Sequence, residues 1–150
     1  MENSRELRFR AWDETNKIMW HTGVEGQSIG QWTFTMYFDP SSGNLKAIVY
    51  GDDFMVTDDP FPMYDSYKKE LPIMQYTGLC DKNGKGIYEG DVIACGDGNV
   101  PTEIKWHEES HAYYAYNLKR KEHHRLDKFF ERYIGEVIGN IYQNPELLEV

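Results

Sequence analysis

Apolar and polar positions alternate over short stretches of this chain, and clusters of turn-forming residues separate them. Leu7, Phe9 and Ala11 alternate with Arg8, Arg10 and Trp12, the period of a strand with one covered face. Asp13 to Lys17 is a turn, and Ile18-Met19-Trp20 is the return strand of a hairpin. Trp32, Phe34, Met36 and Phe38 share one face of a strand over 31–38; Asp39 to Asn44 turns the chain, and 45–50 returns. From Gly51 to Leu71 the pattern weakens into an acidic connection, and Tyr64 to Glu70 reads as two helical turns.

Beyond Ile73 the alternation resumes. Ile73 to Leu79 leads into Asn83-Gly84, a preferred hairpin pair, and Ile87 to Cys95 reads as one strand with a bulge at Gly90. Thr102 to Trp106 and Ala112 to Leu118 form a further pair around a polar turn. Leu126, Phe129, Phe130 and Tyr133 then fall at helical spacing, which predicts a basic helix through 119–132. Glu136 to Tyr142 is the last strand, and Asn144-Pro145-Glu146 predicts an N-cap with proline in the first turn. The expected fold is mainly β (β-rich α+β). A small SH3-like barrel occupies the C-terminal half, with N-terminal hairpins and one peripheral helix. Two regions are expected: an N-terminal β-rich lobe over 1–70, and a barrel-like domain over 71–150.

Composition narrows the chemistry. Of 150 residues, 16 are Lys or Arg and 25 are Asp or Glu, a formal charge of −9 that opposes general affinity for nucleic acid or anionic membranes. That charge is uneven. Residues 119–132 hold six cations against three carboxylates, about +3, which leaves the rest near −12. Cys80 and Cys95 are too few for a disulfide framework and read as reduced thiols. No stretch reaches the roughly 20 apolar residues of a membrane helix, and Met1 to Arg10 lacks a signal-peptide core.

Candidate chemistry is sparse. His107-Glu108-Glu109-Ser110-His111 is a literal H-E-x-x-H, which on a helix would set two histidines on zinc with the glutamate beside a water. Its neighbours favour strands, so it is expected at a hairpin tip, where that geometry is lost. A zinc hydrolase through His107, Glu108 and His111 is therefore the third reading. The acidic residues Asp52, Asp53, Asp58 and Asp59 lack the spacing of a calcium loop. Gly84, Gly86 and Gly90 are turn glycines, since no following helix offers free N–H groups to a phosphate. No enzyme, cofactor or metal is expected. The second reading is a small-barrel nucleic-acid binder using the basic 119–132 segment, with Trp106 and Tyr114 for stacking.

Three segments carry a more specific signal. They are Leu7 to Asp13 with Asn16 to Met19; Met74 to Leu79 with Asp81 to Lys85 and Ile87 to Val92; and Glu136 to Leu148. In this order the chain resembles the YopX family of phage and prophage proteins. Cys80 and Gly86 stand where lysine and a charged residue are more usual, and 21–71 and the basic segment do not take part in the resemblance. The resemblance implies a β-rich, self-associating protein of the bacterial host cytoplasm, with no catalytic residues to carry over. The first reading is thus a non-enzymatic accessory protein that binds copies of itself, a host protein or a phage protein. Its expected association surfaces are Arg8, Arg10 and Trp12, and Leu147 and Leu148. Lys119, Arg120, Lys121, Arg125 and Lys128 are the candidates on the basic segment.

Overall fold

A computed structural model of the chain describes residues 7–22, 28–29, 32–53, 65–95, 100–133 and 135–149. The chain divides into two compact units, Met1–Phe9 with Met74–Val150, and Arg10–Ile73. It is mainly β.

In the unit Arg10–Ile73, β1 (Phe9–Asp13) and β2 (Ile18–His21) form the expected hairpin, with Ala11 opposite Trp20. The Asp13 carboxylate shapes its turn, accepting from the Thr15 and Asn16 N–H groups at 3.1 and 3.2 Å. A meander follows in spatial order β3 (Ser28–Ile29), β4 (Trp32–Asp39), β5 (Asn44–Asp53) and β6 (Asp65–Leu71). Asp39 repeats the device, accepting from the Ser41 N–H at 3.0 Å and from both serine hydroxyls. These bonds favour the ionised form and hold the Asp39 carboxyl well below its ordinary range.

The core of this unit is Ala11, Trp20, Ala47, Val49 and Leu71, with Phe34 and Met36 packed against it. Trp20 stacks on Phe34 at 5.7 Å between ring centroids. Of the segment 64–70, where helical turns are expected, Asp65 onward is instead a strand. β6 pairs with β5 through seven successive positions, from Asp53↔Asp65 to Ala47↔Leu71. A long neighbouring edge outweighs the weak helical preference of so short a segment. The acidic connection at Asp58 and Asp59 lies outside the described residues.

In the other unit, Leu7–Phe9 runs beside β7 (Ile73–Cys80), and the Tyr76 N–H donates to the Arg8 carbonyl at 2.8 Å. β7 turns at Asn83-Gly84, with Gly84 at φ 81°, into β8 (Gly86–Tyr88). The predicted strand over 87–95 is two strands, because Gly90 (φ 78°) turns the chain into β9 (Asp91–Cys95). The ladder irregularity expected there lies instead on β13, between Val137 and Gly139.

The five-stranded antiparallel sheet has the order β12 (Glu122–Arg125), β11 (Ala112–Asn117), β10 (Val100–His107), β9 and β13 (Glu136–Asn140). Its register puts Ile93, Ile104, Ala115 and Val137 on one face. These residues form the core with Ile87 and with Leu126 and Phe129 of α1 (Leu126–Phe130).

The basic helix predicted through 119–132 is a turn, an edge strand and one short helix. Asn117 folds the turn by accepting from the N–H groups of Lys119 and Arg120, and Lys121 takes φ 59°. Glu122–Arg125 then pairs with β11, and helix begins only where Leu126 and Phe129, three residues apart, can both reach the core. Pro145–Leu148 is a 3-10 turn with proline in its first turn, but Asn144 makes no side-chain cap. Its Oδ1 accepts instead from the Asn140 N–H at 3.4 Å.

Candidate binding site

The five-stranded sheet presents chemistry on both faces, because side chains alternate along β10, β11 and β12. On the outer face, Glu103, Tyr116 and His123 lie opposite one another, as do Lys105, Tyr114 and Arg125. His107 packs on Tyr114 at 4.9 Å and stacks with His123 at 6.1 Å. Lys105 pairs with the buried Glu103 at 2.9 Å and lies 5.1 Å from the Tyr116 ring.

The inner face continues past the core into a groove walled by β12 and α1. One lobe, about 240 Å³, is lined by Cys95, Thr102, Asn117, Arg120 and Glu122; a second, about 280 Å³, by Lys128, Glu131 and Arg132. His124, Phe129 and Tyr133 line both lobes. Cys95 is half-buried, and burial pushes its thiol up against the opposing hydrogen bond with Thr102. Lys128 is tied to Glu131 at 2.7 Å, and the hydrogen bond and charge of that carboxylate favour the charged lysine and raise its pKa.

The basic candidates are therefore dispersed. Arg120 and Lys128 reach the groove; Lys119 and Lys121 are exposed on the turn before β12. Arg125 turns to Asp127, with 3.1 and 3.2 Å contacts from its guanidinium. Cys95, which the sequence offers only as a reduced thiol, and Thr102 and Asn117, which it does not single out, complete the groove. The signal for them was the register, since Thr102 lies opposite both Ile93 and Asn117, and Asn117 opposite Glu122.

The H-E-x-x-H segment sits at the hairpin tip, with His107 at the end of β10, His111 in the turn at φ 48°, and Ala112 opening β11. The His107 Nδ1 faces the Ser110 hydroxyl at 2.9 Å and accepts from the Ser110 N–H at 3.3 Å. A strand-and-turn backbone does not set the two imidazoles one helical turn apart, so the geometry that gives this motif its meaning is absent.

The N-terminal association candidates are also placed differently from expectation. Arg10 and Trp12 are buried, each 5% exposed, because β1 is covered on both faces. The Trp12 indole N–H donates to Glu14 at 2.7 Å. Arg8 is half-buried with its guanidinium 4.4 Å from the centre of the Tyr76 ring. At the tail, Leu147 folds back onto β13: a Cβ added at Gly139 would stand 2.8 Å from the Leu147 Cδ1. Leu148 is 38% exposed.

Asp81 anchors the two ends of this unit. Its Oδ1 accepts from Asn83 and Lys85 N–H groups at 2.8 and 2.9 Å, and its Oδ2 from Val137 N–H at 3.1 Å. Burial alone would raise its pKa, yet these three donors together lower it.

Residues 8–149 match the YopX protein family. The chain belongs to the YopX family. The segments on which the resemblance rests include the Asp81 turn, the Gly90 turn and β13 with its tail, and in this chain the Asp81 carboxylate ties the first of these to the last. Among solved structures, this YopX chain is similar to the crystal structure of protein EF1440 from Enterococcus faecalis. The two are 27% identical with a TM-score of 0.55, over 97% of this chain and 99% of that one. No curated protein matches. Among the described residues, no helix is long and apolar enough to cross a membrane.

Proposed function

We propose that this YopX-family chain is a non-enzymatic phage or prophage accessory protein that works in the bacterial cytoplasm by binding, and that it self-associates. The observation that carries self-association is the tip of the β4–β5 hairpin. Phe34 and Met36 pack into the core opposite Val49 and Ala47, and the same face continues to the Phe38↔Leu45 pair. There the chain runs beyond its own core, so Phe38 is 64% exposed and Leu45 37%. A cross-strand apolar pair left in water is stabilised when a second surface covers it, by roughly 25 cal/mol per Å² removed from solvent. The charges beside this pair are already matched within the unit, Lys46 lying 3.6 Å from the Asp39 carboxylate and 3.2 Å from Glu70, while the charged strand β12 blunts the edge of the other unit.

Light scattering on the eluting peak tests this. The wild-type chain is expected above its 17.6 kDa monomer mass at micromolar concentration, and the Phe38→Glu/Leu45→Glu variant at that mass. A wild-type monomer, or a variant as large as wild type, refutes the reading. Both positions are exposed, so the variant retains its core.

A further inference from the structure

The groove between β12 and α1 has a composition that self-association does not use. Arg120 and Arg132 stand one in each lobe, and neither makes a side-chain hydrogen bond or ion pair with a described residue. This contrasts with Arg125, held by Asp127, and with Arg8, set over Tyr76. In a chain with nine more carboxylates than cations, two uncommitted guanidinium groups flank a single groove. The wall common to both lobes is made of rings: His124, Phe129 and Tyr133. Phe129 is nearly buried and braces Tyr133 at 5.3 Å, while Tyr133 is 46% exposed. A braced, open aromatic ring is a stacking surface, and a guanidinium is a planar donor matched to phosphate.

We propose that this groove binds a nucleotide, with the base against the His124–Phe129–Tyr133 wall and phosphate on Arg120 and Arg132. The volumes fit one nucleotide unit. Each lobe is slightly below the roughly 300–1,000 Å³ of ligand clefts, and the two together fall within it. The carboxylates in the groove are Glu122 and Glu131, and Glu131 is already engaged by Lys128. The shared chemistry, a base with phosphate, comes either as a free nucleotide or as one unit of a single strand. In a strand, a base on the common wall has a phosphate on either side, which matches one arginine per lobe.

Calorimetric titration of the full chain with adenosine monophosphate, adenosine and a single-stranded oligonucleotide tests the site. Adenosine monophosphate is expected to bind, and adenosine at least about tenfold more weakly, because the charge-assisted contacts go to phosphate. Arg120→Ala and Arg132→Ala are each expected to weaken binding about tenfold, and Tyr133→Ala to weaken it through lost stacking. All three side chains are exposed, and unchanged circular dichroism verifies the fold. An oligonucleotide that binds far more tightly than the mononucleotide, with steep salt dependence, assigns the site to a strand; equal affinities assign it to a free nucleotide. Absence of heat with both adenosine monophosphate and the oligonucleotide, adenosine binding as tightly as its monophosphate, or an Arg120→Ala/Arg132→Ala variant binding like wild type overturns the proposal. Self-association of that double variant, read by light scattering, stays as in wild type.

Discussion

Replacing Asp81 with alanine removes the acceptor of three backbone N–H groups at once. Two of them, on Asn83 and Lys85, lie in an exposed turn where water can take over, so each is worth about 0.5–1 kcal/mol. The third, on Val137, is buried and comes from a strand 56 positions away; leaving it without an acceptor costs about 1–3 kcal/mol. The expected loss is about 3 kcal/mol, a large fraction of the roughly 5–15 kcal/mol that holds a domain folded. Urea unfolding followed by far-ultraviolet circular dichroism reads it as a midpoint lowered by about 1.5 M, at a slope of about 2 kcal/mol/M.

Asp81→Asn keeps one acceptor oxygen and is expected at about half that loss. Because the folded carboxyl lies below its ordinary range, its contribution is fully present above the unfolded pKa of about 3.9 and disappears as pH falls through the folded value. The gap between wild type and Asp81→Asn therefore narrows on acidification below about pH 4. A midpoint shift under about 0.5 M for Asp81→Ala, at neutral pH, refutes the idea that this carboxylate joins the turn to β13.

Two other perturbations have equally definite outcomes. A methyl group at Gly139 would meet Asn144 Oδ1 at 2.4 Å and Leu147 Cδ1 at 2.8 Å, so Gly139→Ala displaces the tail. It is expected to cost about 1–3 kcal/mol and to make the C-terminus the first site of limited proteolysis; an unchanged digestion pattern contradicts it. Cys80 is exposed, whereas burial keeps the Cys95 thiol protonated, so iodoacetamide at neutral pH should modify Cys80 first. Peptide mapping that finds Cys95 alkylated at the same rate counts against the assigned burial.

The strands were legible because period-two alternation and turn residues are local signals. Asp13 to Lys17, Asp39 to Asn44 and Asn83-Gly84 each fold the chain where their composition indicates. Elements decided by a distant partner were not legible. Asp65–Leu71 and Glu122–Arg125 became strands because the edges of β5 and β11 were available, which short-range helical preference cannot register. The burial of Arg10 and Trp12 was hidden for the same reason, since alternation names one covered face and β1 is covered on both. The groove was half visible: the charge excess at 119–132 pointed to it, but its floor at Cys95 and Thr102 depends on strand register.

The turn device shared by Asp13, Asp39, Asn117 and Asn140 has an evolutionary consequence. At Asp13, Asn117 and Asn140 one side-chain oxygen collects the backbone N–H groups two and three residues ahead, and at Asp39 it takes the Ser41 N–H and hydroxyl. Two of the four positions use a carboxylate and two a neutral amide of nearly the same shape. One oxygen sets the backbone path in all four, so an Asp–Asn exchange alters the isoelectric point, now about 5.0, and keeps the turn, although at Asp13 and Asp39 it gives up the second acceptor oxygen that takes the Asn16 amide and the Ser42 hydroxyl. Surface charge in this chain can thus drift between relatives without the fold having to follow.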